Sequence, residues 1–283
     1  MTTDGQPLTR GEALHVQIAR SIRNQIQAGR LRDGETLPSS RQLAEEWKVS
    51  VFTINEAMKL LAADGLVVNH SRSRRLIHFP GETTPTPWRP ETPQVLLVGG
   101  FPGSGKSELA RVLARLTGWP MLDKDTLTRP VVEAALEILD RSPNDRESDV
   151  YLERIRPREY EATEAAYLEN VECGNSAIVA APFLRELRDK AWVDRTTASI
   201  TARGGKATLV WVYCEPDTMH RYMRQRGAAR DATKLADWPA YLDSIDLDMR
   251  PNGPFELIDN SASSSPLQVQ ASALVDKVLK ASA

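Results

Sequence analysis

The chain has 283 residues, of which 41% are hydrophobic and 26% charged, an ordinary make-up for a globular protein with room for two domains. The two cysteines, Cys173 and Cys214, exclude a disulfide framework and offer no zinc spacing; both lie beside apolar runs and are expected to be buried thiols. No apolar run reaches membrane-spanning length and the first residues lack the apolar core of a secretory signal, so a cytoplasmic protein with no membrane partner is expected. The net charge of −2 hides a split: residues 1–80 hold 11 Lys and Arg against 8 Asp and Glu, the remainder 25 against 30. A mildly basic head on an acidic body is compatible with nucleic-acid binding at one end.

In the head, Leu14, Ile18, Ile22 and Ile26 recur every four residues and predict an amphipathic helix over 13–28, ended by Gly29. A second helix is expected over 41–47, capped by Ser39 or Ser40, and a third over 51–63, capped by Ser50 and stopped by Gly65. The runs 66–68 and 76–79 read as two strands around a polar turn. Two short helices, a tight turn and a hairpin make a winged helix-turn-helix, whose last helix would enter the major groove by its first residues. Arg72, Arg74 and Arg75 in the wing suit phosphate or minor-groove contact.

The stretches Leu37-Pro38-Ser39-Ser40-Arg41-Gln42-Leu43-Ala44, Val49-Ser50, Thr53-Ile54-Asn55-Glu56-Ala57 and Leu60 to Leu66 resemble the DNA-binding domain of GntR-type transcription regulators. The resemblance covers about residues 12–79. It implies dimeric binding to a palindromic operator and, by position, Arg41, Ser50 and Thr53 as DNA contacts. Val51 and Asn55 depart from it, since the family often has Arg there, and so does the wing tip, where Ser73 or Arg74 stands in place of Gly.

Five prolines punctuate 80–93, a semi-extended spacer that would span about 40 Å fully stretched. Trp88 within it is expected to pack on one domain. The domain division expected is 1–79, 80–93 and 94–283.

The body opens with Gln94 to Gly99, an apolar strand, followed by Gly100-Phe101-Pro102-Gly103-Ser104-Gly105-Lys106-Ser107 and then by apolar residues at helical spacing. This is the phosphate-binding loop pattern in its strand–loop–helix context. Gly100, Gly103 and Gly105, with Ser104 between the last two, let backbone N–H groups converge on phosphate oxygens, Lys106 supplies a cation, and Ser107 offers a hydroxyl to Mg²⁺. ATP with Mg²⁺ is the cofactor expected.

Asp123-Lys124-Asp125 ends the next strand, where ligands bind in doubly wound sheets. Asp125 is the candidate base and metal partner, with Asp123 in reserve; the alternative is that one of them caps the following helix, expected from Leu127 onward. Arg154, Arg156 and Arg158 form a basic cluster read as a solvated face. The strand 177–181 ends in Ala180-Ala181, where many phosphate-loop enzymes carry a metal-ordering Asp. Further on, a strand over 208–214, a helix over 217–226 and the Arg226–Asp231 segment suit an arginine lid closing on the γ-phosphate with Arg226 and Arg230; a plain charged surface helix is the alternative. A last strand over 255–260, whose exit walls the base, and a helix over 267–279 close the chain.

Gly100–Ser107, Asp123-Lys124-Asp125, Ala181-Pro182-Phe183 and Arg226–Asp231 are similar to small phosphate-loop kinases of the zeta-toxin and chloramphenicol-phosphotransferase type. That resemblance implies a P-loop kinase fold and phosphoryl transfer with Asp125 as base. The fold class expected is therefore α/β, a winged helix-turn-helix followed by a P-loop doubly wound parallel sheet. The function expected is operator binding modulated by ATP. The alternatives are a small-molecule kinase with an autoregulatory head, and a toxin-like kinase acting on a sugar nucleotide.

Overall fold

The computed structural model describes residues 13–27, 30–31, 33–69, 74–79, 90–228 and 231–280. The head consists of α1 (Leu14–Gln27), α2 (Ser40–Trp47), α3 (Val51–Ala63) and an antiparallel hairpin of β1 (Val67–Asn69) and β2 (Arg75–Ile77). The four-residue apolar spacing of α1 acts as expected: Ile18, Ile22 and Ile26 are buried against Leu43, Ile54, Leu61 and Ile77. Ser39 caps α2 in a reciprocal box with Gln42, and Ser50 caps α3 by accepting from the Thr53 N–H at 3.1 Å. Lys48 takes φ +48° between the two helices, and its N–H returns to the end of α2. Ser39→Ala is expected to cost the head about 1 kcal/mol, read as a lower denaturant midpoint of the head's helical signal.

The body is a five-stranded parallel sheet with helices on both faces. In chain order it runs β3 (Gln94–Gly99), α4 (Lys106–Thr117), β4 (Met121–Asp123), α5 (Lys124–Ile138), a π-helical turn (Tyr151–Ile155) leading into α6 (Arg156–Glu172), and β5 (Ala177–Ala180). Then come α7 (Lys190–Ala202), β6 (Lys206–Tyr213), α8 (Pro216–Arg226), α9 (Ala232–Ala236), α10 (Trp238–Asp243), β7 (Phe255–Asp259) and α11 (Leu267–Lys280). The strand order is β4-β5-β3-β6-β7. All six residues of central β3 are buried, and they divide by parity. Val95 and Leu97 pack with Tyr167, Phe183 and Trp211; Leu96 and Val98 pack with Leu109, Leu113 and Leu274 of α4 and α11. The chain leaves β3 toward β4 and β5 on one side and later builds β6 and β7 on the other. The end of β3 is therefore the topological switch point, where a ligand crevice forms.

Three expectations need correction. Cys214 is buried, but Cys173 is exposed, because it terminates α6 on the solvent side just before Gly174. Helix α5 starts at Lys124, not Leu127, since Asp123 caps it through the Thr126 N–H at 3.0 Å. The hairpin strands do not coincide with the apolar runs that mark them: β1 lies one residue later, over Val67–Asn69, and β2 is shorter, over Arg75–Ile77. Gly29, Trp88 and the proline-rich stretch over 80–89 lie outside the described residues.

Candidate nucleotide site and DNA-binding head

The loop from Gly100 to Gly105 sits at the switch point, held from three sides. The Gly100 N–H donates to the Pro182 carbonyl at 3.1 Å, Lys106 Nζ crosses to the Phe101 carbonyl at 2.8 Å, and Asn260 Nδ2 donates to the Ser104 carbonyl at 3.0 Å. Gly105 has φ +96°, and a Cβ there would stand 2.2 Å from the Asn260 amide nitrogen, so only glycine fits. Gly105 caps α4 without a side chain, which leaves the first N–H groups and the positive end of the helix turned to the loop. Ser104 Oγ is buried with no hydrogen-bond partner among the described residues. A cradle of this kind, lined by backbone N–H groups and a cation, fits the phosphates of a nucleotide.

Ser107 Oγ donates to Asp123 Oδ2 at 3.0 Å. Asp123 pairs in register with Ala180 across the β4–β5 ladder. The neighbouring edge strand thus brings a carboxylate to the serine hydroxyl, although β5 itself ends in alanine. Asp123 also caps α5, so the capping role and the site position coexist in one side chain. Asp125, half-buried in the first turn of α5, lies 2.9 Å from Lys124 Nζ.

Behind Asp125 is a polar cluster that local sequence patterns do not reveal. Lys124 Nζ donates to Glu159 Oε1 at 2.7 Å, Thr128 Oγ1 to the same oxygen at 2.8 Å, and the Tyr151 hydroxyl to Glu159 Oε2 at 2.7 Å. Lys124 and Glu159 are both 3% exposed. Burial, and then the neighbouring Glu159 carboxylate, push the Tyr151 hydroxyl pKa up, so it remains a donor. The three arginines of the predicted cluster are not equivalent: Arg156 turns inward to Glu186 at 2.7 Å and stacks on Tyr160, whereas Arg158 stays outside with Glu161. Phe183, 2% exposed, takes φ +50° on the exit from β5, and its N–H donates to the Tyr160 hydroxyl at 3.3 Å.

On the lid segment, Arg226 Nε donates to buried Asp231 at 3.0 Å, while His220 stacks on Trp238 at 4.5 Å. Burial, with Arg224 adding to it, lowers the His220 pKa and favours the neutral ring. Arg230 lies outside the described residues.

In the head, Arg41, Arg74, Ser50 and Thr53 stand on or near the outer surface, and the Ser50 and Thr53 hydroxyls are 2.8 Å apart. Arg75 is elsewhere: its guanidinium donates to Ser40 Oγ at 2.6 Å and Asn55 Oδ1 at 3.1 Å, locking the hairpin to α2 and α3. Arg72 lies outside the described residues.

Head and body touch through α1, Arg30 just beyond it, and Phe79. Arg30 pairs with Glu108 at 2.9 Å, Arg20 Nη1 donates to the Ser261 carbonyl at 2.8 Å, and Arg221 donates to Gln17. Arg115 of α4 lies over the Phe79 ring. Glu108 follows Ser107, and Ser261 follows Asn260, so one contact adjoins the phosphate-loop pattern and the other the residue that braces the loop. Burial raises the Glu108 pKa, and Arg30 and then Arg111 pull it partly back.

The profile of the family described as AAA domain matches residues 95–247, more than half of the sequence. The chain belongs to the AAA domain family. The profile described as bacterial regulatory proteins, gntR family, matches residues 14–77. The protein is thus a GntR-type helix-turn-helix fused to a P-loop AAA domain. It is 35% identical over 140 residues to the vitamin B6 salvage pathway transcriptional repressor PtsJ of Salmonella typhimurium, covering 47% of this chain and 32% of that one. It is 37% identical over 60 residues to the uncharacterized HTH-type transcriptional regulator YdeL of Bacillus subtilis, covering 21% of this chain and 13% of that one. The chain spans no more than a third of the length of either curated relative. A solved structure of a putative kinase from Chloroflexus aurantiacus is 18% identical, with 68% of this chain and 99% of that one covered at a TM-score of 0.49. Among the described residues no helix is long and apolar enough to cross a membrane.

Proposed function

We propose that this protein is a homodimeric transcription regulator whose AAA domain binds ATP·Mg²⁺ and thereby sets the affinity of the head for operator DNA. The observation that carries the reading is the Arg30–Glu108 pair, one residue from Ser107. The N–H groups of the loop, with Ser104, would hold the phosphates together with Lys106, and Ser107 with Asp123 would hold Mg²⁺, Asp125 standing by. Mg²⁺ commonly takes one or two carboxylates and completes its shell with phosphate and water. Bound ATP·Mg²⁺ supplies negative charge at the start of α4, beside the Glu108 carboxylate, and biases the pair that holds the head.

The test is a titration of ATP·Mg²⁺ into the protein on a duplex selected from a random pool. Coupling of about 1–3 kcal/mol would move operator affinity by roughly 5- to 150-fold. Arg30→Ala and Glu108→Gln are each expected to flatten that response while calorimetric ATP binding persists. An undiminished response in both variants would refute the coupling route.

A second reading, a small-molecule kinase with Asp125 as base and an autoregulatory head, draws on the buried Lys124–Glu159 cluster behind Asp125. Arg226 and Arg230 would then bring positive charge to the transferring phosphate, as in the zeta-toxin and chloramphenicol-phosphotransferase type. A toxin-like kinase acting on a sugar nucleotide is the narrower form of the same idea. Acceptor-dependent consumption of ATP, lost in Asp125→Asn, would favour this reading over the first.

A further inference from the structure

The first turn of α3 presents an apolar surface to solvent. Phe52 is 72% exposed and Val51 40% exposed, the two side chains that follow the Ser50 cap. Further along the helix Ile54, Ala57, Met58 and Leu61 are buried. Residues 51–54 include no basic side chain. Asn55, the next polar side chain, has its carbonyl oxygen engaged by Ser40 Oγ at 2.9 Å and by Arg75. Glu56, one turn beyond Phe52, is paired with Lys59 at 2.7 Å.

In a helix-turn-helix, base edges are met by the N-terminal residues of the last helix. Guanine is read mainly by Arg or Lys, and this turn offers neither. The one apolar feature of the major groove is the 5-methyl group of thymine. Arg41 at the start of α2 and Arg74 beside β2 are exposed in the same small head and suit phosphate contacts, so the occupant favoured is a nucleic-acid groove rather than another apolar protein face.

We infer that Phe52 and Val51 read thymine methyl groups in each operator half-site, so that sequence choice in this protein rests on apolar contact with thymine. The inference rests on the DNA-binding part of the function proposed above. It assigns a specificity role to Phe52, and to Val51 where the family often has Arg, neither of which is among the contacts that the resemblance implies.

The test exchanges thymine for uracil, which removes one methyl group and leaves base pairing intact. The full-length protein is used to select duplexes from a random pool, and single thymines of the selected site are replaced in synthetic DNA. One buried methyl is worth about 0.8 kcal/mol, so each contacted exchange should weaken binding about fourfold at fixed salt. In Phe52→Ala or Val51→Ser the exchange should have an effect within about 1.5-fold at the position lost. Both side chains are exposed, and an unchanged circular dichroism spectrum checks that the variants remain folded. A wild-type protein indifferent to uracil at every position overturns the inference while leaving DNA binding intact. So does a selected site without thymine, or a uracil penalty that survives both substitutions. Failure to select any duplex overturns the DNA-binding reading as well.

Discussion

Lys106→Ala is expected to abolish measurable ATP binding. The lysine is the cation of the loop, and its Nζ already lies 2.8 Å from the Phe101 carbonyl at the mouth of the cradle. Hydrogen bonds to charged groups are worth about 1.5–3 kcal/mol each, and the lysine would make more than one with the phosphates. A loss of about 3 kcal/mol or more corresponds to at least roughly 100-fold in Kd. Isothermal titration with ATP·Mg²⁺ should give no heat at concentrations that saturate the wild type. The half-buried side chain gives up a hydrogen bond to a backbone carbonyl, so the melting temperature without nucleotide should fall only slightly. A variant that still saturates normally would show that the loop does not grip a triphosphate. On the function proposed here, the same substitution also removes the nucleotide response of operator binding.

The second large effect concerns stability. Glu159→Ala takes away the carboxylate that accepts from Lys124, Thr128 and Tyr151 inside the body. Breaking a buried ion pair by deleting one partner costs about 3–5 kcal/mol, because the remaining charge stays desolvated. Lys124 keeps Asp125 at 2.9 Å, which places the expectation toward the lower end of that range. For a domain of this size the melting temperature should fall by roughly 6–20 °C. Lys124→Met combined with Glu159→Leu should lose less than Glu159→Ala alone, since no unpaired charge is then buried. Thermal unfolding followed by circular dichroism decides between these outcomes.

The features legible in the sequence were those whose cause is local. The glycines at 100, 103 and 105, followed by Lys106 and Ser107, mark a loop whose conformation is dictated by its own residues. Ser39 and Ser50 announce helix starts because a cap acts within three positions. The four-residue spacing in α1 found the right core face for the same reason. What stayed hidden depends on distant partners. Asn260 steadies the loop from 156 positions away, and Lys124 finds Glu159 35 positions along the chain. No local pattern separates such residues from ordinary surface polar groups. Arg75 shows the same limit: a basic residue beside the wing reads as a phosphate contact, and no local pattern reveals that its guanidinium also reaches Ser40 and Asn55. Asp123 reads from sequence as either site residue or cap; the fold makes it the cap of α5 and also sets its other oxygen against the Ser107 hydroxyl, since the strand end and the helix start share one residue.

Asn260 and Ser261 stand side by side at the exit of β7 and answer to different masters: one steadies the glycine loop through its amide, the other receives Arg20 from the head through its carbonyl. Chimeras that transplant a foreign reading head onto this body would therefore inherit a mismatched seam. A graft keeping only the linker would leave Ser261, Glu108 and Arg221 facing strangers. An exchange that keeps the seam would carry α1 with Gln17 and Arg20, Arg30 just beyond it, and Phe79, which meets Arg115.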